Sequence, residues 1–227
     1  MSNGAETRIK RSQIKILTAA EDVFLRNGFV GTNMDAVAKH AGVSKQTVYA
    51  RFNSKEALFI QVVEQMTGSA ACDIGEDVED NFEGKSVKDF FINAAIDQLS
   101  VVMTPRLMRL RRMVIGEVER FPELGESLYE HGPQRSIRRI AKAVAHYGRV
   151  GELQETDPYT AAAHFNWLVM GAPINSAMML GDKSIPAKNE LESHAREAAN
   201  IFLAAFSAEE PSRRNANSIS DTDIRGR

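Results

Sequence analysis

The stretch TNMDAVAKHAGVSKQTVYARF, residues 32–52, decides the fold. It holds two short helical segments joined by Ala41-Gly42-Val43. Thr32, with Asp35 three residues on, resembles a capping box for a helix reaching about His40, and Ser44 caps a second helix to about Phe52. Two such helices cross steeply only under steric conditions: a small residue where they touch, a turn residue that tolerates positive φ, and an apolar lock on the second helix. Ala38, Gly42 and Val48 meet these needs at the required spacing, and Val37, Val43 and Phe52 supply the core behind them. The spacing predicts a helix-turn-helix over about residues 33–52.

The second helix presents Ser44, Lys45, Gln46, Thr47 and Tyr49 near its N-terminus. That end carries unpaired N–H groups and the positive end of the helix dipole, both suited to phosphate. A glutamine such as Gln46 can bond an adenine edge through two hydrogen bonds, and Thr47 can bond a base edge or pack on a thymine methyl. Lys45, Tyr49 and Lys55 suit anchoring to the phosphate backbone. Thr32, Asn33 and Arg51 complete the expected set of DNA-contacting residues.

Charge distribution agrees. Residues 1–60 hold nine Lys/Arg and five Asp/Glu, a net of +4, whereas the whole chain of 227 residues is −2, leaving −6 on the remainder. A polyanion is drawn to the N-terminal quarter and repelled by the rest. Hydrophobic residues at 43% and charged ones at 26% describe an ordinary globular protein. The single Cys72 excludes an internal disulfide, the first twenty residues lack an apolar signal core, and no apolar stretch is continuous enough to span a bilayer. A cytoplasmic location is expected.

Outward from the motif, nearly every segment reads as helix, and no strand pattern of any length occurs. Residues 9–27 carry helical apolar spacing closed by Asn27-Gly28. Ser54 opens a helix to about Ala71, and an acidic connection runs from Cys72 to Lys85. Ser86 with Asp89 starts a helix to about Met103, Pro105 one to about Phe121, and Pro122 one to about 131. A break is expected at Gly132-Pro133, followed by helix to 149; Asp157-Pro158 opens a long helix over 158–180 with a kink at Pro173; 187–206 is the last helix. The fold class is therefore all-α, with a helix-turn-helix domain at 8–53, a larger helical domain at 54–206, and a disordered tail over 207–227.

Gly28-Phe29, Thr32-Asn33, Val37-Ala38, Ala41-Gly42-Val43-Ser44-Lys45, Thr47-Val48-Tyr49, Phe52 and Ser54-Lys55-Glu56-Ala57-Leu58 together resemble the N-terminal domain of the TetR family of one-component regulators. Arg51 stands where that pattern commonly has histidine, Asn53 where it has proline or glycine, and Ala50 where it has a bulky residue. Arg111-Arg112-Met113-Val114-Ile115, the run Glu117 to Leu124 and Gly151-Glu152-Leu153 look like the AefR-like subgroup. The resemblance implies a repressor that binds a palindromic operator as a homodimer and releases it when a small apolar effector enters the C-terminal domain.

Nine methionines and eleven phenylalanines permit a deformable apolar pocket. Its candidate lining is Met66, Phe91, Met108, Met113, Trp167 and Met170, each equally explicable as core. Glu117 shares a helical stripe with Leu110, Val114 and Phe121, where it anchors a ligand or pairs with an arginine such as Arg120. Arg106, Arg109, Arg111, Arg112, Arg135, Arg138 and Arg139 read as solvated helix faces. Small and apolar residues on the last two helices, among them Ala198, Ile201 and Phe202, mark an expected dimer interface in a four-helix bundle. The five histidines and Cys72 form no metal-ligand spacing, and phosphate-loop and nucleophile motifs are absent, so neither an enzyme, a metal site nor a cofactor is expected. The rival reading is a DNA-binding adaptor on the same scaffold that answers to a protein partner; an enclosed cavity favours the sensor, a solid core with an exposed apolar patch the adaptor.

Overall fold

The computed structural model describes residues 3–73, 82 and 84–208. The tail expected from Ser207 and the acidic connection before Lys85 fall largely outside the described residues. Among the described residues the architecture is all-α: α1 (Asn3–Gly31), α2 (Met34–Ala41), α3 (Lys45–Tyr49), α4 (Lys55–Asp73), α5 (Val87–Val102), α6 (Pro105–Glu117), α7 (Pro122–Tyr129), α8 (Arg135–Arg149), α9 (Pro158–Leu180) and α10 (Lys188–Phe206). No helix is long and apolar enough to cross a membrane.

Local chemistry sets most of the starts. The side chains of Ser44, Ser86 and Asp157 accept hydrogen bonds from Thr47 N (3.1 Å), Asp89 N (3.5 Å) and Thr160 N (2.8 Å), which satisfies amide donors that a helix start leaves open. Pro105, Pro122 and Pro158 occupy first turns, where a missing N–H is harmless. Gly42 ends α2 in the left-handed region at φ 64, ψ 35 and returns its N–H to the carbonyls of Ala38 and Lys39.

Several element boundaries differ from those expected. The cap of α2 is Asn33, whose Oδ1 accepts from Ala36 N at 2.8 Å, and not Thr32. α1 runs through Gly28, which takes φ 75, and ends at Gly31. α6 stops at Glu117, four residues short, because Pro122 disfavours helical geometry at Phe121. At Gly132-Pro133 the chain does not break; a π-helical turn over Glu130–Gln134 carries α7 into α8. α9 passes through Pro173 as one helix.

Two apolar cores result. The first joins α1, α2, α3 and α4 as far as Met66 through Phe24, Phe29, Val48, Leu58, Phe59 and Met66, and takes in Leu110 and Val114 of α6 and Leu124 of α7. The second joins α5, α8, α9 and α10 around Phe91, Phe165 and Phe202. Packing thus crosses the 53/54 boundary: α4 as far as Met66 lies in the same core as the helix-turn-helix. Met66 and Phe91, expected to line a pocket, are fully buried members of these cores. Ala198 and Phe202, expected on the dimer face, are likewise buried, their helix α10 lying against α5 and α9 of the same chain. Ile201 alone of the three points outward, 51% exposed.

Candidate nucleic-acid interface and effector cavity

α2 and α3 form the expected crossing. Val37, Ala38 and Val48 are buried between them, so the helix pair is held from behind while its other side faces solvent. On that side stand Asn33, Ser44, Lys45, Gln46, Tyr49 and Arg51. Ser44 both caps α3 and shares a 2.8 Å hydrogen bond with the Thr47 hydroxyl, which fixes the first turn of the helix. Lys45 is held by Asp35 across the crossing at 2.8 Å, with its ammonium 5.8 Å from the Tyr49 ring centroid. The hydrogen bond that Lys45 donates to the Asp35 carboxylate raises the Lys45 pKa above its ordinary value. Asp35 was not legible as its partner, because the contact depends on the crossing angle.

Two expected DNA contacts are used inside the protein. Thr32 is only 3% exposed, and its hydroxyl donates to Gly28 O at 2.7 Å. The Lys55 ammonium donates to Phe29 O at 2.9 Å and lies 4.4 Å from the Phe29 ring centroid. Both tie the end of α1 to the motif. The Thr32 hydroxyl is thereby committed within the protein, whereas the half-exposed Lys55 ammonium keeps two further N–H donors.

A cavity opens between α5, α6, α8 and α9, close to where the helical pattern placed it. Together with its mouth it spans about 760 Å³, a narrow space between the helices. Met108, Met170 and Trp167 line it together, as expected. Met113 and Glu117 do not; they border a separate surface groove against the end of α1. Trp167, 51% exposed, stands at the mouth. α4 reaches the same cavity through Thr67.

The cavity wall also carries residues that were not singled out. Gln98, 5% exposed, donates from Nε2 to Ser136 Oγ and to Asn166 Oδ1, both at 2.7 Å. Both residues lie on otherwise apolar helical stripes, Gln98 after Phe91, Ala94 and Ala95 and Asn166 before Val169, Met170 and Pro173, and that was the available signal. The arginine series is a solvated face only in part: Arg106, Arg109 and Arg138 are exposed, and Arg111, Arg112, Arg135 and Arg139 are half-buried. Arg106 pairs with Glu21 of α1, Arg109 (2.9 Å) and Arg112 with Asp182, and Arg138 with Glu130, while Arg111 lines the cavity. Hydrogen bonds from Arg112 and then Arg109 hold the Asp182 carboxyl below its usual range.

Comparison with known proteins agrees with this geometry over both halves. Residues 16–62 match the family described as bacterial regulatory proteins, tetR family, and residues 92–208 match the AefR-like transcriptional repressor C-terminal domain. A crystal structure at 1.54 Å of a regulator assigned to the TetR family from Mesorhizobium loti MAFF303099 is 34% identical, covers 88% of this chain and 99% of its own, and superposes with a TM-score of 0.79. The flavonoid-responsive regulator FrrA is 32% identical, with 88% and 100% covered and a TM-score of 0.71. The HTH-type transcriptional regulator UidR of Escherichia coli K12 is 33% identical over 79 residues, 35% of this chain; the chain spans only 40% of that relative's length.

Proposed function

We propose, on the premise that this chain belongs to the TetR family of bacterial regulatory proteins, that it is a repressor which binds a palindromic operator as a homodimer and leaves it when a small, predominantly apolar effector enters the cavity beside α6. That family is a class of transcriptional regulators and not of enzymes. The observation that carries the sensing reading is the double membership of α6. Its Met108, Leu110 and Arg111 line the cavity, while the same Leu110 and Val114, one turn on, sit in the core that holds the helix-turn-helix. Arg106 adds an ion pair to Glu21 of α1. An effector that moves α6 therefore moves the base of the DNA-binding domain, and α4 offers a second route through Thr67. The effector must bind the released conformation more tightly than the DNA-bound one for this to act as a switch. A narrow but real cavity favours the sensor over the adaptor, as does the flavonoid-responsive relative.

The test of sensing uses the lone tryptophan. Compounds that raise the melting temperature are expected to change Trp167 fluorescence and to release operator DNA. Trp167→Phe should change effector affinity and leave effector-free DNA binding nearly intact. Stabilising compounds that never release DNA would contradict the reading.

On the DNA side, Gln46 and Arg51 are exposed on the motif's outer surface. We assign Gln46 to base readout and Arg51 to phosphate, with Asn33, Ser44, Lys45, Thr47 and Tyr49 completing the surface. Arg51→Ala should weaken binding to all sequences alike and lower the salt slope by about one unit. Gln46→Ala should leave that slope unchanged and alter sequence preference, by about 1–3 kcal/mol at the base it reads. Identical effects of the two changes in a titration over salt and operator variants would remove the assignment.

A further inference from the structure

The polar groups of the cavity are arranged for more than an apolar ligand. Arg111 is the one formally charged residue among the described residues that line it, and no carboxylate shares that wall. Its neighbours Arg109 and Arg112 are both tied to Asp182, and Arg106 to Glu21, whereas Arg111 makes no hydrogen bond or ion pair with any described residue. Burial holds its guanidinium pKa below the ordinary arginine value. A guanidinium with no partner among the described residues, sharing a wall with Met108, Leu107 and Ile174, is poorly solvated, and a ligand that supplies the counter-charge relieves that cost.

A second, independent set of groups opens on the same space. Gln98 and Asn166 bond each other and Ser136, yet Gln98 Oε1 and Asn166 Nδ2 are buried with no partner among the described residues. Turning both amides over exchanges which residue carries the open acceptor and which the open donor, and still leaves one of each. Buried polar atoms are nearly always satisfied, so an open donor and acceptor in a cavity wall are a mark of something that fits there. Asn166 and Arg111 thus offer N–H donors from α9 and α6, and Gln98 an acceptor from α5.

We propose that the effector is an amphipathic monoanion, an aromatic body bearing one carboxylate or phenolate oxygen, with that oxygen on Arg111 and the ring between Met108, Met170 and Trp167. The narrowness of the cavity and the indole at its mouth select a flat ring. The charge-assisted bond to guanidinium supplies the anion preference, and Gln98 and Asn166 orient any further hydroxyl or carbonyl. This rests on the sensing reading above and sharpens its ligand class.

Matched pairs test it by calorimetry: 2-naphthoate beside 2-naphthamide, and 4-nitrophenol beside 4-nitroanisole, at about pH 8, where both acids are ionised. The anionic member of at least one pair should bind about tenfold or more tightly than its neutral partner. Which pair shows the preference separates carboxylate from phenolate. Arg111→Met should bring the two members within about twofold of each other, and Arg111→Lys, which keeps the charge but loses the planar fork, should retain part of the difference. Melting curves of both variants confirm that they fold; should Arg111→Met not fold, the lysine variant carries the comparison. Neutral partners binding as tightly as the acids, or a preference that survives Arg111→Met, would overturn the anion inference and leave the sensor standing. Binding by neither member of either pair would overturn it too, while the wider effector screen then decides the sensor on its own.

Discussion

Phe29→Ala is expected to lower stability by about 3–5 kcal/mol, the usual loss for a fully buried phenylalanine. The ring is 1% exposed and meets Phe24, Phe59 and Phe121 at centroid separations of 6.0, 5.2 and 4.8 Å. Those partners lie on α1, on α4 and immediately before α7, so one side chain closes the DNA-binding helices onto the sensor helices. Lys55 adds its ammonium over the ring face and its bond to the Phe29 carbonyl. At about 2–4 °C per kcal/mol for a chain of this size, the melting temperature should fall by about 6–20 °C. Operator binding should fall with it, because α2 and α3 are held only from behind. Phe29→Leu keeps most of the apolar volume and should lose much less. A Phe29→Ala protein melting within about 2 °C of the parent would show that the aromatic cluster does not couple the two halves.

The second large effect concerns assembly. The exposed residues of α9 and α10 include apolar ones: Leu168 at 38% exposure, Met179 at 76% and Ile201 at 51%, together with Ala172 and Ala204. Replacing both Leu168 and Ile201 with glutamate would bury two charges in the proposed four-helix interface, which paired contact cannot tolerate without partners. Sedimentation should show a monomer. Operator affinity should fall by about 10²–10⁴-fold, since two half-site contacts then bind without being linked. Folding of each subunit should survive, as both positions are exposed in the single chain. A Leu168→Glu, Ile201→Glu protein that stays dimeric would move the interface elsewhere.

Much of this was legible because it is local. Ser44, Ser86 and Asp157 cap helices through bonds that reach three residues ahead, and prolines at 105, 122 and 158 act on their own turn. Gly42 could be placed because only one short turn fits between the two helices. What escaped depends on packing against distant segments. Thr32 and Asn33 are both good caps, and Asn33 takes the role because the Thr32 hydroxyl is drawn under the carbonyls of Gly28 and Val23. Ala198 and Phe202 lie on an apolar face that could meet either a partner or α5, and it meets α5. Met108, Trp167 and Met170 were legible as apolar and central, but Arg111 was not separable from its neighbours. Arg109 and Arg112 find Asp182 seventy or more residues away, and only that geometry leaves Arg111 toward the cavity.

The central claim, that this is a dimeric reader of symmetric DNA, is tested most directly by selecting bound fragments from random-sequence DNA with the purified full-length protein. The account predicts convergence on an inverted repeat whose half-site centres lie about 34–36 Å apart, about one helical turn, or a multiple of that. Recovery of fragments with no common sequence, or of a single half-site without symmetry, would contradict it.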